Sequence, residues 1–185
     1  MTKMIRGFCF AASLLLGLLA LAACAAPPVD TGQVIEYRSS KFGFKVSRPA
    51  VWQVLEDPAP LVGDNPTNLH AVAFLPSQES KTLITVFVQT LTTTQTLDEY
   101  VGKQMASLRA NEANARFSDP TAIDLDGLKA VSTSATFTSN NAPMVERLVL
   151  TLNGQQAYGL TFLGPSGSEL LTAFDTMLDT FALVQ

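Results

Sequence analysis

The sequence predicts a layered α+β domain built from several hairpin-linked strands and two main helices. Three observations lead to that class. Runs rich in Val, Ile, Leu, Thr and Phe, separated by Asp-Gly, Asn-Gly and Pro-containing breaks, fill most of the chain after residue 33. Only two segments, around residues 97–111 and 170–181, place apolar side chains at helical spacing. The order is strands, helix, hairpin-linked strands, helix, without the alternation that a parallel sheet requires. A length of 185 residues, with 47% hydrophobic and 15% charged residues, suits one compact domain.

That domain is expected over residues 34–185. Phe44 and Val46 alternate with Lys45 and Ser47 as one strand, Pro49 interrupts its ladder, and Val51-Trp52-Gln53-Val54 makes a short second strand. Residues 56–68 contain Pro58, Pro60, Gly63 and Pro66 and read as an irregular loop. Residues 69–75 and 83–90 follow as strands, with Ile84, Val86 and Val88 on one face of the second and Thr85, Phe87 and Gln89 on the other. Thr96-Leu97-Asp98-Glu99 fits a capping box, opening a helix to about Asn111 whose buried stripe is Leu97, Val101, Met105 and Leu108. Residues 122–125, the Asp126-Gly127 turn and residues 128–138 form a hairpin. Residues 144–152, Asn153-Gly154 and residues 155–163 form another, with a type I′ turn expected because that turn needs positive φ at both central positions. Ser166-Gly167-Ser168-Glu169 repeats the capping-box spacing before the stripe Leu170, Leu171, Phe174, Met177, Leu178 and Phe181.

The first 23 residues have another character. Lys3 and Arg6 precede an apolar run over residues 7–22, the layout of a secretory signal peptide. The run is shorter than the roughly 20 residues that span a bilayer core, so it is not expected to remain as a membrane helix. Leu21-Ala22-Ala23-Cys24 matches a bacterial lipobox, in which the cysteine thiol takes a diacylglycerol and the chain is cut just before it. Cys24 becomes the acylated mature N-terminus on this reading, and two or three chains including palmitate-type acyl groups hold the membrane, at about 0.8 kcal/mol per buried methylene. The alternative is ordinary cleavage at the small-x-small site around Ala23-Cys24-Ala25 and a free secreted protein. Residues 24–33 read as a flexible tether. Ala25 rather than Asp follows the cysteine, pointing to the outer membrane in a two-membrane cell and to the outer face of a one-membrane cell. Cys9 leaves with the leader, so no disulfide is available to the mature domain.

Loss of residues 1–23, which hold two basic and no acidic residues, moves the net charge from −4 to −6. That balance argues against a nucleic-acid partner. His70 is the lone histidine, on a short apolar strand without a nucleophile motif such as G-x-S-x-G, and reads as a strand histidine before a catalytic one. Asp124 and Asp126 fall two apart on a strand and invite a paired-carboxylate or cation reading, against which stands the turn chemistry of Asp-Gly. Asp98 with Glu99 suits a helix start, and Asp175 with Asp179 suits a solvated face. The Gly164–Ser168 approach to the last helix lacks the lysine and spacing of a phosphate loop. No cofactor, metal site or catalytic group is expected, and the domain is expected to fold as a monomer.

Several short motifs together resemble the PsbP-like superfamily, which takes in photosystem PsbP and bacterial envelope lipoproteins of the DcrB and LpqN kind. They are Tyr37 followed by Phe42-x-Phe44 and Pro49-x-x-Trp52, Leu97-Asp98-Glu99-Tyr100, Asn153-Gly154-Gln155-x-x-Tyr158-x-Leu160-x-Phe162, and a final helix ending in Phe181. Ala50-Val51 stands where that family has a glycine-containing turn, and the histidine metal ligands of some photosystem members have no counterpart here. The resemblance implies a central antiparallel sheet of about six or seven strands with the two main helices packed on its faces, and a binding or assembly role. The expectation is therefore a lipid-anchored envelope protein that binds an envelope protein or a small ligand. The alternative is an envelope hydrolase using His70 or the Asp124/Asp126 pair. Leu61 and Val62 in the long loop, with Trp52, are the residues expected at a partner contact, although Trp52 beside a proline turn reads as a core plug before a pocket wall.

Overall fold

The computed structural model describes residues 32–62, 68–77, 81–111 and 114–184. The leader, Cys24 and most of the tether lie outside them. Two antiparallel sheets face each other. The smaller contains β1 (Val34–Ser39), β2 (Phe44–Pro49) and β11 (Ala182–Leu183), ordered β1-β2-β11. The larger has eight strands: β3 (Gln53–Glu56), β4 (Leu69–Leu75), β5 (Leu83–Thr90), β6 (Arg116–Phe117), β7 (Thr121–Leu125), β8 (Leu128–Ser139), β9 (Ala142–Asn153) and β10 (Gln156–Pro165). Its order is β3-β4-β5-β10-β9-β8-β6, with β7 also on β8. The helices are the single turn α1 (Ala59–Val62), then α2 (Leu97–Asn111) and α3 (Leu170–Thr180). The α+β class stands, with one more strand in the main sheet than expected and the opening hairpin in a sheet of its own.

Burial explains that division. Phe44 and Val46 of β2 are wholly buried, while Lys45 pairs with Glu36 across the outer face at 3.2 Å. The β1–β2 hairpin thus presents one apolar face, which it lays with α3 over the inner face of the large sheet. Val72, Phe74, Ile84, Val86, Leu160 and Phe162 meet Phe44, Phe174, Met177 and Phe181 there. Phe181 stacks on Phe44 at 5.8 Å and meets Tyr158 edge-on at 5.9 Å, within the favoured range for aromatic pairs. On the opposite face, Leu148, Leu150 and Ala157 receive Tyr100, Val101 and Met105 of α2, and Ala71 and Ala73 receive Leu61 of α1. With both faces covered, β4 reads Ala71-Val72-Ala73-Phe74 with every residue buried, so alternation is lost where burial is complete.

The caps and turns differ among themselves. The Thr96 capping box forms as expected: Glu99 N–H donates to Thr96 Oγ1 at 3.2 Å and Thr96 N–H to the Glu99 carboxylate at 2.8 Å. The one at Ser166 does not. Ser166 N–H donates to the Pro143 carbonyl of β9 at 3.0 Å, Gly167 turns at φ 79°, and α3 begins only after Glu169, whose side chain caps nothing. Asp126 and Gly127 have φ of 54° and 78°, as a type I′ turn requires. At the other predicted turn only Gly154 is positive, at 60°, because Asn153 stays in the ladder opposite Gln156. That is the II′ pattern, glycine first, in place of the expected I′. A further I′ turn, Asn140-Asn141 at φ 50° and 61°, joins β8 to β9.

Candidate functional site

The ladder registers give the domain two ends. β1 and β2 pair Val34 with Pro49 at one end and Ser39 with Phe44 at the other, roughly 17 Å apart at strand rise. β3 runs the same way, leaving Trp52 at the first end and delivering Asp57 to the second. There the β1–β2 turn, the exit of β3 and the entry of β4 converge. Lys41 and Phe42 come from the turn, Asp57 from the exit and His70 from the entry.

Asp57 is the hub of this cluster. Its backbone is left-handed, φ 46°, which Asp adopts more readily than most residues. Its N–H donates to the Ala71 carbonyl at 2.7 Å, and the Ala71 N–H donates back to Asp57 Oδ1 at 3.1 Å. Lys41 Nζ donates to Oδ2 at 2.9 Å, and His70 Nδ1 lies 3.0 and 3.1 Å from the two carboxylate oxygens. Burial pushes the Asp57 carboxyl up, but the donors from Lys41, Ala71 and His70 together outweigh it and hold the group below the ordinary carboxylate value. A carboxylate facing Nδ1 puts the ring proton there and leaves Nε2 on the far side. Phe42, itself buried, lies between two partners: the His70 ring at 5.2 Å between centroids, and the Lys41 ammonium 4.6 Å from the phenyl centroid. Behind the cluster, Tyr37 donates to Glu56 Oε1 at 2.5 Å, and burial followed by that bond raises its phenol well above the usual value.

The arrangement holds an imidazole by carboxylate and aromatic contacts, as far as two members of a nucleophilic triad. Among the described residues no serine, threonine or cysteine hydrogen-bonds to that ring, and no group of three His, Cys, Asp or Glu side chains is placed to hold a metal ion. The site is suited to recognising a polar or charged partner.

The other residues singled out in the sequence fall elsewhere. Asp124 Oδ1 accepts the Gly127 N–H at 2.8 Å, while Asp126 sits within the turn, so the two carboxylates are not a pair on one strand face. β7 moreover lies at the edge of the sheet opposite β3. Leu61, expected at an exposed contact, is 5% exposed and packs with Ala71 and Ala73; Val62 is half-buried beside it. Trp52 is 2% exposed and belongs to the core. These three do not form one open surface, because α1 folds its apolar side onto β4 and Trp52 starts β3 at the opposite end. Gly164 answers to packing: a Cβ there would come within 2.8 Å of Thr82 Oγ1 and 2.9 Å of Phe162. Asp57 belongs to no motif that would single it out in the sequence. The signal that finds it is register: pairing Gln53 with Leu75 carries Glu56 opposite Val72 and so sets Asp57 beside Ala71 and His70.

No family model matches the chain, and no curated protein does. Solved structures do. Cyanobacterial PsbP (CyanoP) from Synechocystis superposes with a TM-score of 0.57 at 15% identity, over 87% of this chain and 98% of that one. LpqN of Mycobacterium tuberculosis, described as involved in cell envelope biogenesis, gives 0.54 at 13% identity over 85% and 95%. A Bacteroides thetaiotaomicron protein gives 0.52 at 13% identity over 81% of this chain and 48% of its own. The two sheets, the helix laid on each face of the larger one, and these superpositions give one conclusion: the chain has the PsbP-like fold.

Proposed function

We propose that the protein is an exported, lipid-anchored envelope factor that works by binding, with Cys24 as the anchor and the Lys41–Phe42–Asp57–His70 end as the contact for an envelope protein or small ligand. The observation that carries this is the sequence Leu21-Ala22-Ala23-Cys24 placed ahead of a fold shared with LpqN and CyanoP. An outer-membrane address in a two-membrane cell follows from Ala25. The hydrolase reading retains one observation in its favour, the Asp57–His70 hydrogen bond, and loses the Asp124/Asp126 pair.

Complementation of a deletion strain separates the readings. Cys24→Ser should leave the membrane fraction, take up no fatty acid and fail to complement, while remaining folded. His70→Gln should stay anchored and impair partner capture in proportion to its loss of complementation. If His70→Gln abolishes complementation while capture is intact, the imidazole is doing chemistry and the hydrolase reading replaces the binding one.

A further inference from the structure

We infer that the end of the domain opposite the His70 cluster, where Gln33, Val34, Ala50 and Val51 reach the surface, rests on the phospholipid bilayer. The inference depends on the anchor at Cys24 proposed above. Val34 and Val51, at 50% and 62% exposure, are the large hydrophobic residues left exposed among the described residues. They meet at one place, since Val34 pairs with Pro49 and the Ala50 N–H donates to the Gln33 carbonyl at 2.7 Å. This is also where the chain from Cys24 enters the fold. Nine residues lie between Cys24 and Val34, no more than roughly 35 Å of chain at full stretch. An acylated Cys24 therefore tethers the domain by this end and holds it within that reach of the lipid.

The chemistry of the tip suits that occupant. None of these four residues is charged. The carbonyls of Gln33, Pro49 and Ala50 are satisfied from within: the first accepts the Ala50 N–H, and Arg48 turns its guanidinium inward so that one nitrogen lies 2.9, 3.1 and 2.8 Å from the carbonyls of Pro49, Ala50 and Trp52. The Trp52 N–H closes the turn onto the Pro49 carbonyl at 3.2 Å, and Pro49 has no N–H to satisfy. Contact with lipid then removes apolar surface from water at no cost to these three carbonyls, whereas unpaired ones keep most turns out of membranes. The His70 cluster is left facing away from the bilayer, open to a partner.

The test uses the full-length acylated protein in phosphatidylcholine vesicles, where no lipid charge attracts the domain. Acylation blocks the Cys24 thiol, so Val51→Cys offers a single labelling site, and Gln155→Cys, in the exposed turn at the opposite end, offers the control. With a nitroxide lipid as quencher, fluorescence at 51 should be quenched about threefold or more relative to 155. Equal quenching in a protein that is acylated and vesicle-bound overturns the tip contact and leaves the anchor standing. A protein that is neither acylated nor vesicle-bound overturns both. Val51→Asp, labelled through Ala50→Cys, should stay bound and drop to the quenching seen at 155; undiminished quenching would contradict the apolar contact.

Discussion

The two ends of the β1–β2 hairpin differ in how they satisfy their polar groups. At the Val34–Val51 end, backbone carbonyls are bound by the inward guanidinium of Arg48 and what faces outward is apolar. At the Lys41–His70 end, a left-handed Asp57 gathers a lysine, an imidazole and a backbone N–H onto one carboxylate. A single small hairpin thus separates a surface with little need of water from one built on charge. The difference teaches that the domain is polar along its strand axis, with the surfaces proposed for membrane and partner held apart by six residue pairs.

The largest expected effects come from residues beneath each end. Trp52→Ala beneath the first should cost about 3–5 kcal/mol and Leu61→Ala beneath the second about 2–5 kcal/mol, the range for buried large-to-small changes. Denaturant melts of both variants check this. A loss under about 0.5 kcal/mol at Leu61 would show α1 to be an open surface after all.

Next comes the charge network. The Asp57 carboxyl lies below its unfolded value, so its stabilising contribution is complete above about pH 4 and is lost as pH falls through the lower folded value. Asp57→Asn keeps a residue that tolerates positive φ and removes the charge, so its acid-unfolding profile should be shallower below pH 4 than the wild type's. Identical profiles would mean that the network does not contribute.

A smaller effect compares the helices. Thr96→Ala should cost about 1 kcal/mol through loss of the capping box, whereas Ser166→Ala should change stability by less than about 0.5 kcal/mol, since its hydroxyl caps nothing. Thermal melts of the pair decide the matter. The smallest effect belongs to Val51→Ser, which at 62% exposure should leave the melting curve in place while altering membrane contact.

Legibility in the sequence followed how local the determinant was. β4, β5, α2 and the paired strands β7–β10 follow from periodicity and from Asp-Gly and Asn-Gly, because each is settled within a dozen residues. The Asn140-Asn141 turn carried a weaker signal, since asparagine enters left-handed backbone less freely than glycine. Ser166 shows the limit of motif spacing: the pattern of Thr96 is present, yet a tertiary bond to Pro143 takes the backbone away before the helix begins. Asp57 and His70 stand 13 residues apart across a loop that resembles a connector, and only the β3–β4 register brings them together. Burial of Leu61 was hidden for the same reason, because the face that covers it belongs to another strand.

The central claim is that this polar domain is held to a membrane by lipid at Cys24. The intact mass of the mature protein purified from membranes tests it most directly. The account predicts a chain beginning at Cys24 that carries a diacylglyceryl group. A mature chain beginning elsewhere, or one with an unmodified thiol at Cys24, would contradict it.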